Sequence, residues 1–276
     1  MRNLTTVALL VAALCGGVGG GTGSAGALEE PPPSPKPLFD TDDIVYAGAV
    51  AIGTLAISPF DKQLADVLQG DLQTRRFLRG LSRVVENVAV PGAFIIGGGL
   101  YTAGRLGGDR RMAELGLRGT EAILIGLAFT TTMKWTVGRA RPSVDRDPRN
   151  FELLRGVKED GYRSFPSGHS LIAFAAATVV VRETHQWWPE SSWYIAPVMY
   201  GGAMLVGLSR MYDNKHWASD VLMGGALGVF TGNKVWRFHQ TRPGNRLDRW
   251  LLGVRIATTP DGGRAVGLIL VPVLGG

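Results

Sequence analysis

Residues 219–236 read SDVLMGGALGVFTGNKVW, an apolar stretch whose small residues are concentrated at Gly224, Gly225 and Ala226. Small side chains let helices approach one another closely, in membranes as in compact bundles. Five more apolar stretches with helix-like composition precede this one along the chain. They cover residues 44–58, 88–104, 119–135, 170–182 and 194–208. The pattern predicts an all-α fold, a helical bundle of about six core helices.

The apolar stretches leave two interpretations open. Each has 13 to 18 residues, whereas a membrane-spanning helix needs about 20. The mean hydropathy of +0.11 is high for a soluble enzyme and low for a transporter made of lipid-facing helices. The sequence is therefore compatible with a six-helix membrane protein and with a compact bundle that has an unusually apolar core.

Composition narrows the class of protein. The chain of 276 residues is 45% hydrophobic and 19% charged, which excludes a disordered or fibrous protein. A net charge of +6 suits an anionic lipid or a phosphorylated substrate. We expect no nucleic-acid partner, because zinc-finger spacing and aromatic-interleaved basic stretches are both missing from the sequence. Cys15 is the only cysteine, so an intrachain disulfide is excluded.

The N-terminus is typical of an export signal. Arg2 precedes an apolar core at residues 4–14, and Ala25-Gly26-Ala27 forms an A-x-A cleavage pattern. We predict a signal peptide over 1–27 that is cleaved after Ala27, with an uncleaved anchor as the alternative. Residues 28–43 form a proline-rich linker, and the helical domain covers 44–237.

The C-terminal tail, residues 238–276, has a different pattern. Two strand-like runs, 250–258 and 264–273, flank the sequence Pro260-Asp261-Gly262-Gly263. This arrangement predicts a short β-hairpin. The hairpin carries no residue pattern that indicates chemistry.

The first of three polar clusters ends the third apolar stretch. Lys134 precedes Arg141 by seven residues, and residues seven apart on a helix share a face. Pro142 is expected to end that helix and to let the Arg141 side chain fold over a site. The alternative is a positive cap on a helix C-terminus.

The second cluster, Pro166-Ser167-Gly168-His169, directly precedes the fourth apolar stretch. Serine, glycine and proline are typical of helix starts. Backbone N–H groups at a helix N-terminus bind phosphate, and Gly168 would allow close approach. His169 would then lie beside the anion. The alternative is an ordinary helix cap with a solvated histidine.

The third cluster comprises Ser209-Arg210, His216 and Asp220. His216 and Asp220 are four residues apart, which predicts that they share one helical face. The carboxylate can then accept the Nδ1 proton and leave Nε2 free as a nucleophile or base. The alternative is a buried structural histidine–aspartate pair.

The three clusters border two loops, 136–169 and 209–219. Two apolar stretches separate these loops, so both are expected at the same end of a bundle. Cations, a helix start that can bind phosphate and two histidines would converge there. This combination predicts a phosphoryl-transfer site that needs no metal ion.

The order K-x6-R-P, P-S-G-H and S-R-x5-H-x3-D resembles the signature of the type 2 phosphatidic acid phosphatase and vanadium haloperoxidase superfamily. Every signature position is matched, and the resemblance covers roughly residues 40–237. It implies that His216 attacks phosphorus to form a phosphohistidine, that Asp220 orients it, and that His169 serves as general acid and then base. It also implies that the phosphate is held by five residues, namely Lys134, Arg141, Ser167, Gly168 and Arg210.

The resemblance leaves three functions open, and the first is the leading hypothesis. A membrane lipid phosphatase would act without a cofactor on a phosphomonoester or diphosphate of a lipid. A soluble periplasmic acid phosphatase of broad specificity is the alternative. A haloperoxidase with bound vanadate is a third, although enzymes of that branch are generally much larger.

Membrane orientation is a separate expectation. The arginines between the second and third stretches, such as Arg105, Arg110 and Arg111, indicate a cytoplasmic connection and hence a site that faces the periplasm. Export of residue 28 with all six stretches spanning would place the site in the cytoplasm instead. These two expectations conflict. The conflict disappears if one stretch, most simply 44–58, does not cross the membrane, if the N-terminal segment is not exported, or if the whole bundle is soluble.

Overall fold

The structure, a computed structural model, describes residues 37–69, 76–252, 255–258 and 264–267. The predicted signal peptide and most of the proline-rich linker lie outside the described residues.

The chain is helical, and the all-α prediction is confirmed. Five of the six apolar stretches lie wholly within a helix, and the first, 44–58, does so except for Ser58, which lies in the turn that follows. The helices are α1 (Thr41–Ile57), α2 (Asp61–Gln69), α3 (Arg76–Gly107), α4 (Arg110–Val137), α5 (Arg155–Lys158), α6 (Gly168–Trp187), α7 (Ser192–Tyr212), α8 (Ala218–Thr241) and α9 (Arg246–Leu252). Three short 3₁₀ turns join them, at Ser58–Phe60, Asp160–Tyr162 and Pro189–Ser191.

Helix α6 lies at the centre and packs against α4, α7 and α8. Its contact with α8 depends on glycine, as the small residues of that stretch predict. A Cβ atom on Gly224 would lie 2.2 Å from the Ser167 carbonyl oxygen, and one on Gly228 would lie 2.4 Å from that of Leu171. The two backbones therefore touch. Close contact of α6 and α8 brings the second and third clusters together at one end of the bundle.

Helix α1 runs antiparallel to α8 along most of its length. Its start is tied to the C-terminal part of α8, where Arg237 Nη1 lies 2.8 Å from Asp40 Oδ2. In its first half, the Tyr46 hydroxyl donates to the Ala226 carbonyl at 2.8 Å. Helix α2 then begins beside the first turn of α8. The chain therefore runs along α1 from one end of the bundle to the other before α2 begins.

Among the described residues, two segments are long and apolar enough to cross a membrane, Thr41–Gln69 and Ser82–Gly107. Little of either segment is buried within the protein. Large apolar side chains project from both, and Ile44 and Ile95 are 75% and 72% exposed. Water is a poor solvent for such surfaces, whereas lipid covers them at no cost.

The end of α4 differs from the prediction. We expected Pro142 to end the helix, with Lys134 and Arg141 on one helical face, and this was wrong. The helix ends at Val137 because Gly138 adopts the left-handed conformation with φ 60°. Glycine adopts that conformation without steric cost and is the usual residue at this position. Arg141 therefore lies in the loop beyond the helix.

The tail also differs in part. Residues 250–252 belong to α9, so the strand predicted from Trp250 was wrong at its start. The Asn245 side chain accepts a hydrogen bond from the Asp248 backbone N–H at 3.0 Å and so caps the helix. Residues 255–258 and 264–267 pair antiparallel, with Arg255 opposite Gly267. The connecting residues 259–263 lie outside the described residues, and the hairpin as a whole stays a prediction.

The glycine contact between α6 and α8 can be tested by mutation. We expect Gly228→Ala to destabilise the protein by about 1–3 kcal/mol, because the new methyl group meets backbone atoms that cannot move aside. Gly201→Ala is the matched control, since a Cβ there meets nothing within 4 Å. It should leave stability unchanged or raise it by about 0.5–1 kcal/mol. Thermal unfolding in detergent measures both, and equal midpoints would contradict the contact.

Candidate active site

The two predicted loops meet at one end of the bundle. Ser143 N–H donates to the Asn214 carbonyl at 3.1 Å, and Ser167 N–H donates to the Asp220 carbonyl at 2.9 Å. Trp217 Nε1–H donates to the Ala140 carbonyl at 2.9 Å. The second and third clusters are thus joined directly, and the residues on either side of Arg141-Pro142 are joined to the loop before α8, so the three clusters converge.

His216 lies in the loop before α8 and is buried. Its Nδ1 lies 2.6 Å from the Ser164 carbonyl oxygen, which can only accept, so Nδ1 carries the proton. The Nε2 atom is consequently unprotonated when the ring is neutral. The distance from Nδ1 to Asp220 Oδ2 is 3.7 Å, too long for a hydrogen bond.

The predicted geometry of the histidine–aspartate pair was therefore wrong in detail. Trp217 has an extended backbone and occupies the N-cap position of α8, so His216 precedes the helix and shares no helical face with Asp220. The Asp220 carboxylate instead accepts from Ser164 Oγ at 2.5 Å and from Trp217 N–H at 2.9 Å. Ser164 thus links the two, because its carbonyl holds His216 and its hydroxyl holds Asp220.

Burial and the nearby charge of Lys134 hold the pKa of His216 well below its usual range, although Asp220 acts in the opposite direction. Both leading causes disfavour the imidazolium. The unprotonated ring is therefore the dominant form near neutral pH.

His169 occupies the second position of α6, and the predicted helix start is confirmed. Ser167 is the N-cap, and its Oγ accepts from the backbone N–H and from the hydroxyl of Ser170 at 3.4 Å and 2.9 Å. Burial, and after it the charge of Arg210, hold the pKa of His169 far below its usual range. His169 lies within the electrostatic influence of His216 as well.

Each of the three cations of the motif contacts another residue of the protein. Lys134 Nζ donates to the Arg163 carbonyl at 2.7 Å. Arg141 forms an ion pair with Asp160 at 2.8 Å, and Arg210 pairs with Asp213. Within the described part of the chain, the buried Nε atoms of Arg141 and Arg210 have no hydrogen-bond partner. Donor capacity thus remains on both guanidinium groups.

A buried network behind Asp220 was missed in the sequence. Arg139 Nη1 contacts Asp220 Oδ1 at 2.5 Å, and Arg139 Nη2 contacts Asp61 Oδ2 at 2.7 Å. Arg139 could have been noticed, because it lies inside the K-x6-R-P motif two residues before Arg141. Asp61 and Ser164 had no comparable signal, since neither stands in a motif position.

The loop 143–165 is fixed against the end of α4. A Cβ on Gly138 would lie 1.7 Å from the Glu152 carbonyl oxygen, and one on Gly156 would lie 2.1 Å from that of Lys134. Between these two contacts the loop exposes large apolar side chains, among them Leu153 at 83%. The backbone of a candidate phosphate-binding lysine is therefore in contact with a loop that presents an apolar surface.

Among the described residues, no group of three or more His, Cys, Asp or Glu side chains is arranged to hold a metal ion.

Comparison with known proteins agrees with this geometry. Residues 117–243 match the family model described as the PAP2 superfamily, and they contain all three clusters. This part of the chain is therefore similar to proteins of the PAP2 superfamily. The predicted resemblance to type 2 phosphatidic acid phosphatases is confirmed.

PAP2 relatives include several named phosphatases. A lipid A 1-phosphatase of Porphyromonas gingivalis is 45% identical over 25% of this chain and 15% of its own length. A putative undecaprenyl-diphosphatase of Escherichia coli is 29% identical over 46% of this chain and 62% of its own length. The matches span between 15% and 64% of the curated relatives' own lengths.

A solved PAP2 structure has the same fold. It is the first transmembrane PAP2-type phosphatidylglycerolphosphate phosphatase, from Bacillus subtilis, with a TM-score of 0.53 and 23% identity. The similarity covers 74% of this chain and 98% of that one.

The protonation state of His216 can be measured directly. Because burial and Lys134 disfavour the imidazolium, we expect its ring to titrate below pH 6.5, the midpoint of an unperturbed histidine. NMR of histidine labelled with ¹⁵N measures the midpoint and the tautomer, and His216→Asn assigns the signal. A midpoint at or above 6.5, or a proton on Nε2 of the neutral ring, would contradict the geometry.

Proposed function

We propose that the protein hydrolyses a phosphomonoester or diphosphate of a lipid through a phosphohistidine on His216. One observation carries the proposal: the Ser164 carbonyl fixes the proton on Nδ1, which leaves a lone pair on Nε2 in a site with three cations. A neutral imidazole held in one tautomer is a competent nucleophile toward phosphorus.

The first step joins Nε2 of His216 to phosphorus and breaks the bond from phosphorus to the leaving oxygen. His169, which takes up a proton from solvent when the phosphate binds, donates that proton to the leaving oxygen. In the second step His169 takes a proton from water, whose oxygen attacks phosphorus and releases Nε2. Inorganic phosphate leaves, and both histidines return to their starting states.

The residues proposed to bind the phosphate have hydrogen-bond donors that are not used by other described residues of the protein. The uncommitted Nε–H groups of Arg141 and Arg210, together with Lys134, supply positive charge for the equatorial oxygens. The Ser167 hydroxyl only accepts in its two bonds within α6, so its proton is available to a ligand. Since three cations neutralise the phosphate, the proposed steps do not require a metal ion.

The low pKa of His169 also agrees with its proposed role. Burial and Arg210 keep the ring neutral without substrate. A phosphate dianion bound among the cations offsets their charge and favours the imidazolium. His169 would then become an acid only when substrate is present.

Two observations favour a lipid over a soluble ester. The segments Thr41–Gln69 and Ser82–Gly107 expose apolar faces that suit a bilayer. The relatives are named for lipid A and for undecaprenyl diphosphate, both of which carry phosphate on a lipid. A soluble acid phosphatase would need neither exposed face.

We infer further that the site faces the periplasm. Arg105 and Arg110 lie at the opposite end of the bundle from the site, as cytoplasmic residues would. Helix α1 spans the height of the bundle, so Asp40 lies at that same opposite end. A periplasmic site therefore favours an uncleaved N-terminal segment over cleavage after Ala27.

Orientation can be tested by cysteine labelling in a Cys15→Ser background. Lys158→Cys lies at the site end and Glu190→Cys at the other, and both positions are exposed. We expect a membrane-impermeant maleimide to label Lys158→Cys on intact cells and Glu190→Cys only after permeabilisation. The reverse pattern would place the site in the cytoplasm.

Activity is tested by phosphate release from a detergent-dispersed lipid phosphate and from p-nitrophenyl phosphate, without added metal. We expect His216→Ala to lower kcat by several orders of magnitude, because it removes the nucleophile. His185→Ala is the control, since His185 is exposed at the far end of α6, where its Nδ1 lies 2.6 Å from Ser192 Oγ.

The outcomes separate the hypotheses. Preference for the lipid, lost in His216→Ala, supports the proposal. Equal or better hydrolysis of the soluble ester would favour a broad-specificity acid phosphatase. Activity that survives His216→Ala would show that the assigned mechanism is wrong.

A further inference from the structure

Asp61 is a fully buried carboxylate outside all three motifs. It is the first residue of α2 and lies beside the first turn of α8, 158 residues away in sequence. Its Oδ1 accepts from the Ser219 backbone N–H at 2.8 Å, and its Oδ2 accepts from Ser219 Oγ at 2.5 Å and from Arg139 Nη2 at 2.7 Å. All three partners act as hydrogen-bond donors to this carboxylate.

Arg139 is fully engaged by this network. Besides the two carboxylates, its Nε and Nη2 donate to the Pro148 carbonyl at 3.0 Å and 2.7 Å. Nη1 also donates to Ser219 Oγ at 2.7 Å. Arg139 is 3% exposed. It therefore has no donor left for a phosphate group, in contrast to Arg141 and Arg210.

The cluster carries an excess of negative charge behind the nucleophile. Asp61 and Asp220 share the single guanidinium of Arg139, so the three groups have a net charge of −1. Without Asp61 the net charge would be zero, and Arg139 would neutralise Asp220 alone. A negative charge near His216 matters because the ring becomes cationic when Nε2 bonds to phosphorus.

We propose that Asp61 is a positioning residue for the reaction: it holds Arg139 and Ser219 in place, so that Asp220 keeps both its orientation and its uncompensated charge behind His216. The inference rests on the proposed function. It also gives the segment containing α1 and α2 a role beyond membrane attachment, because that segment supplies the carboxylate.

Other charged groups also act on His216 and must stay constant in a test. They are Lys134 on α4, Arg141 in the loop, His169 on α6 and Asp220 on α8. None of these is altered by Asp61→Asn, which keeps the size of the side chain and removes its charge.

The test compares Asp61→Asn with Glu183→Gln. Glu183 forms an equally buried ion pair with Arg118 at 2.5 Å, some fifteen residues along α6 from the site. Both variants lose one buried carboxylate charge, so both should lower the unfolding temperature. Only Asp61→Asn should lower kcat, by about 10–100-fold, with little change in KM.

The pH profile separates positioning from a structural role. Loss of the negative charge disfavours the imidazolium of His216, so in Asp61→Asn the acid limb of kcat/KM should move to lower pH. The double variant Asp61→Asn/Arg139→Gln restores a net charge of −1 and should move the limb back toward that of the wild type. Because Asp220 has no ion-pair partner in this double variant, thermal unfolding is measured alongside to show that the protein is folded.

NMR titration of His216 in the same variants gives a readout that needs no activity. If the wild type releases phosphate from no ester, the proposed function fails, and the titration still tests Asp61. A lower His216 midpoint in Asp61→Asn, restored in the double variant, supports the inference. A midpoint and acid limb equal to those of the wild type would overturn it and leave Asp61 a structural ion-pair partner.

Discussion

The guanidinium of Arg139 is the point at which distant parts of the chain are joined. It binds the start of α2, the start of α8 and the Pro148 carbonyl of the long loop. The contacts with both carboxylates are buried, and a buried charge that loses its partner is costly. The orientation of Asp220, the position of Ser219 and the path of the loop all depend on this one side chain.

Ser164 has a comparable role on a smaller scale. A single residue presents a carbonyl to His216 and a hydroxyl to Asp220, so the histidine and the carboxylate are connected without touching. This arrangement fixes the tautomer with a neutral acceptor. It leaves the carboxylate to act through its charge, at a distance of 3.7 Å.

Local signals in the sequence predicted much of this structure. The six apolar stretches predicted the long helices, and Ser167 predicted the start of α6. Both predictions were possible because the apolar face and the N-cap of a helix are formed by residues close together in the chain. The convergence of the three clusters followed from the number of helices between two loops. The predicted end of α4 was wrong because the helix stops before Gly138 and does not reach Pro142. A glycine just after a helix is a common end signal, so Gly138 could have been considered before Pro142.

The parts that escaped prediction depend on contacts between distant residues. Nothing near Asp61 in the sequence indicates that it meets Ser219, and the i to i+4 spacing of His216 and Asp220 suggested a bond that the extended backbone of Trp217 prevents. Spacing shows which residues can share a helix face. It does not show where the helix begins.

The backbone contacts at Gly138 and Gly156 limit how the loop 143–165 beside the site can change in evolution. Backbone atoms touch at both places, so insertions between residues 138 and 156 would have to bulge outward rather than shift the loop along α4. The apolar side chains between them project freely and carry no such restriction. A new substrate preference would therefore arise by replacement of these apolar side chains, while the loop backbone stays at a constant distance from Lys134.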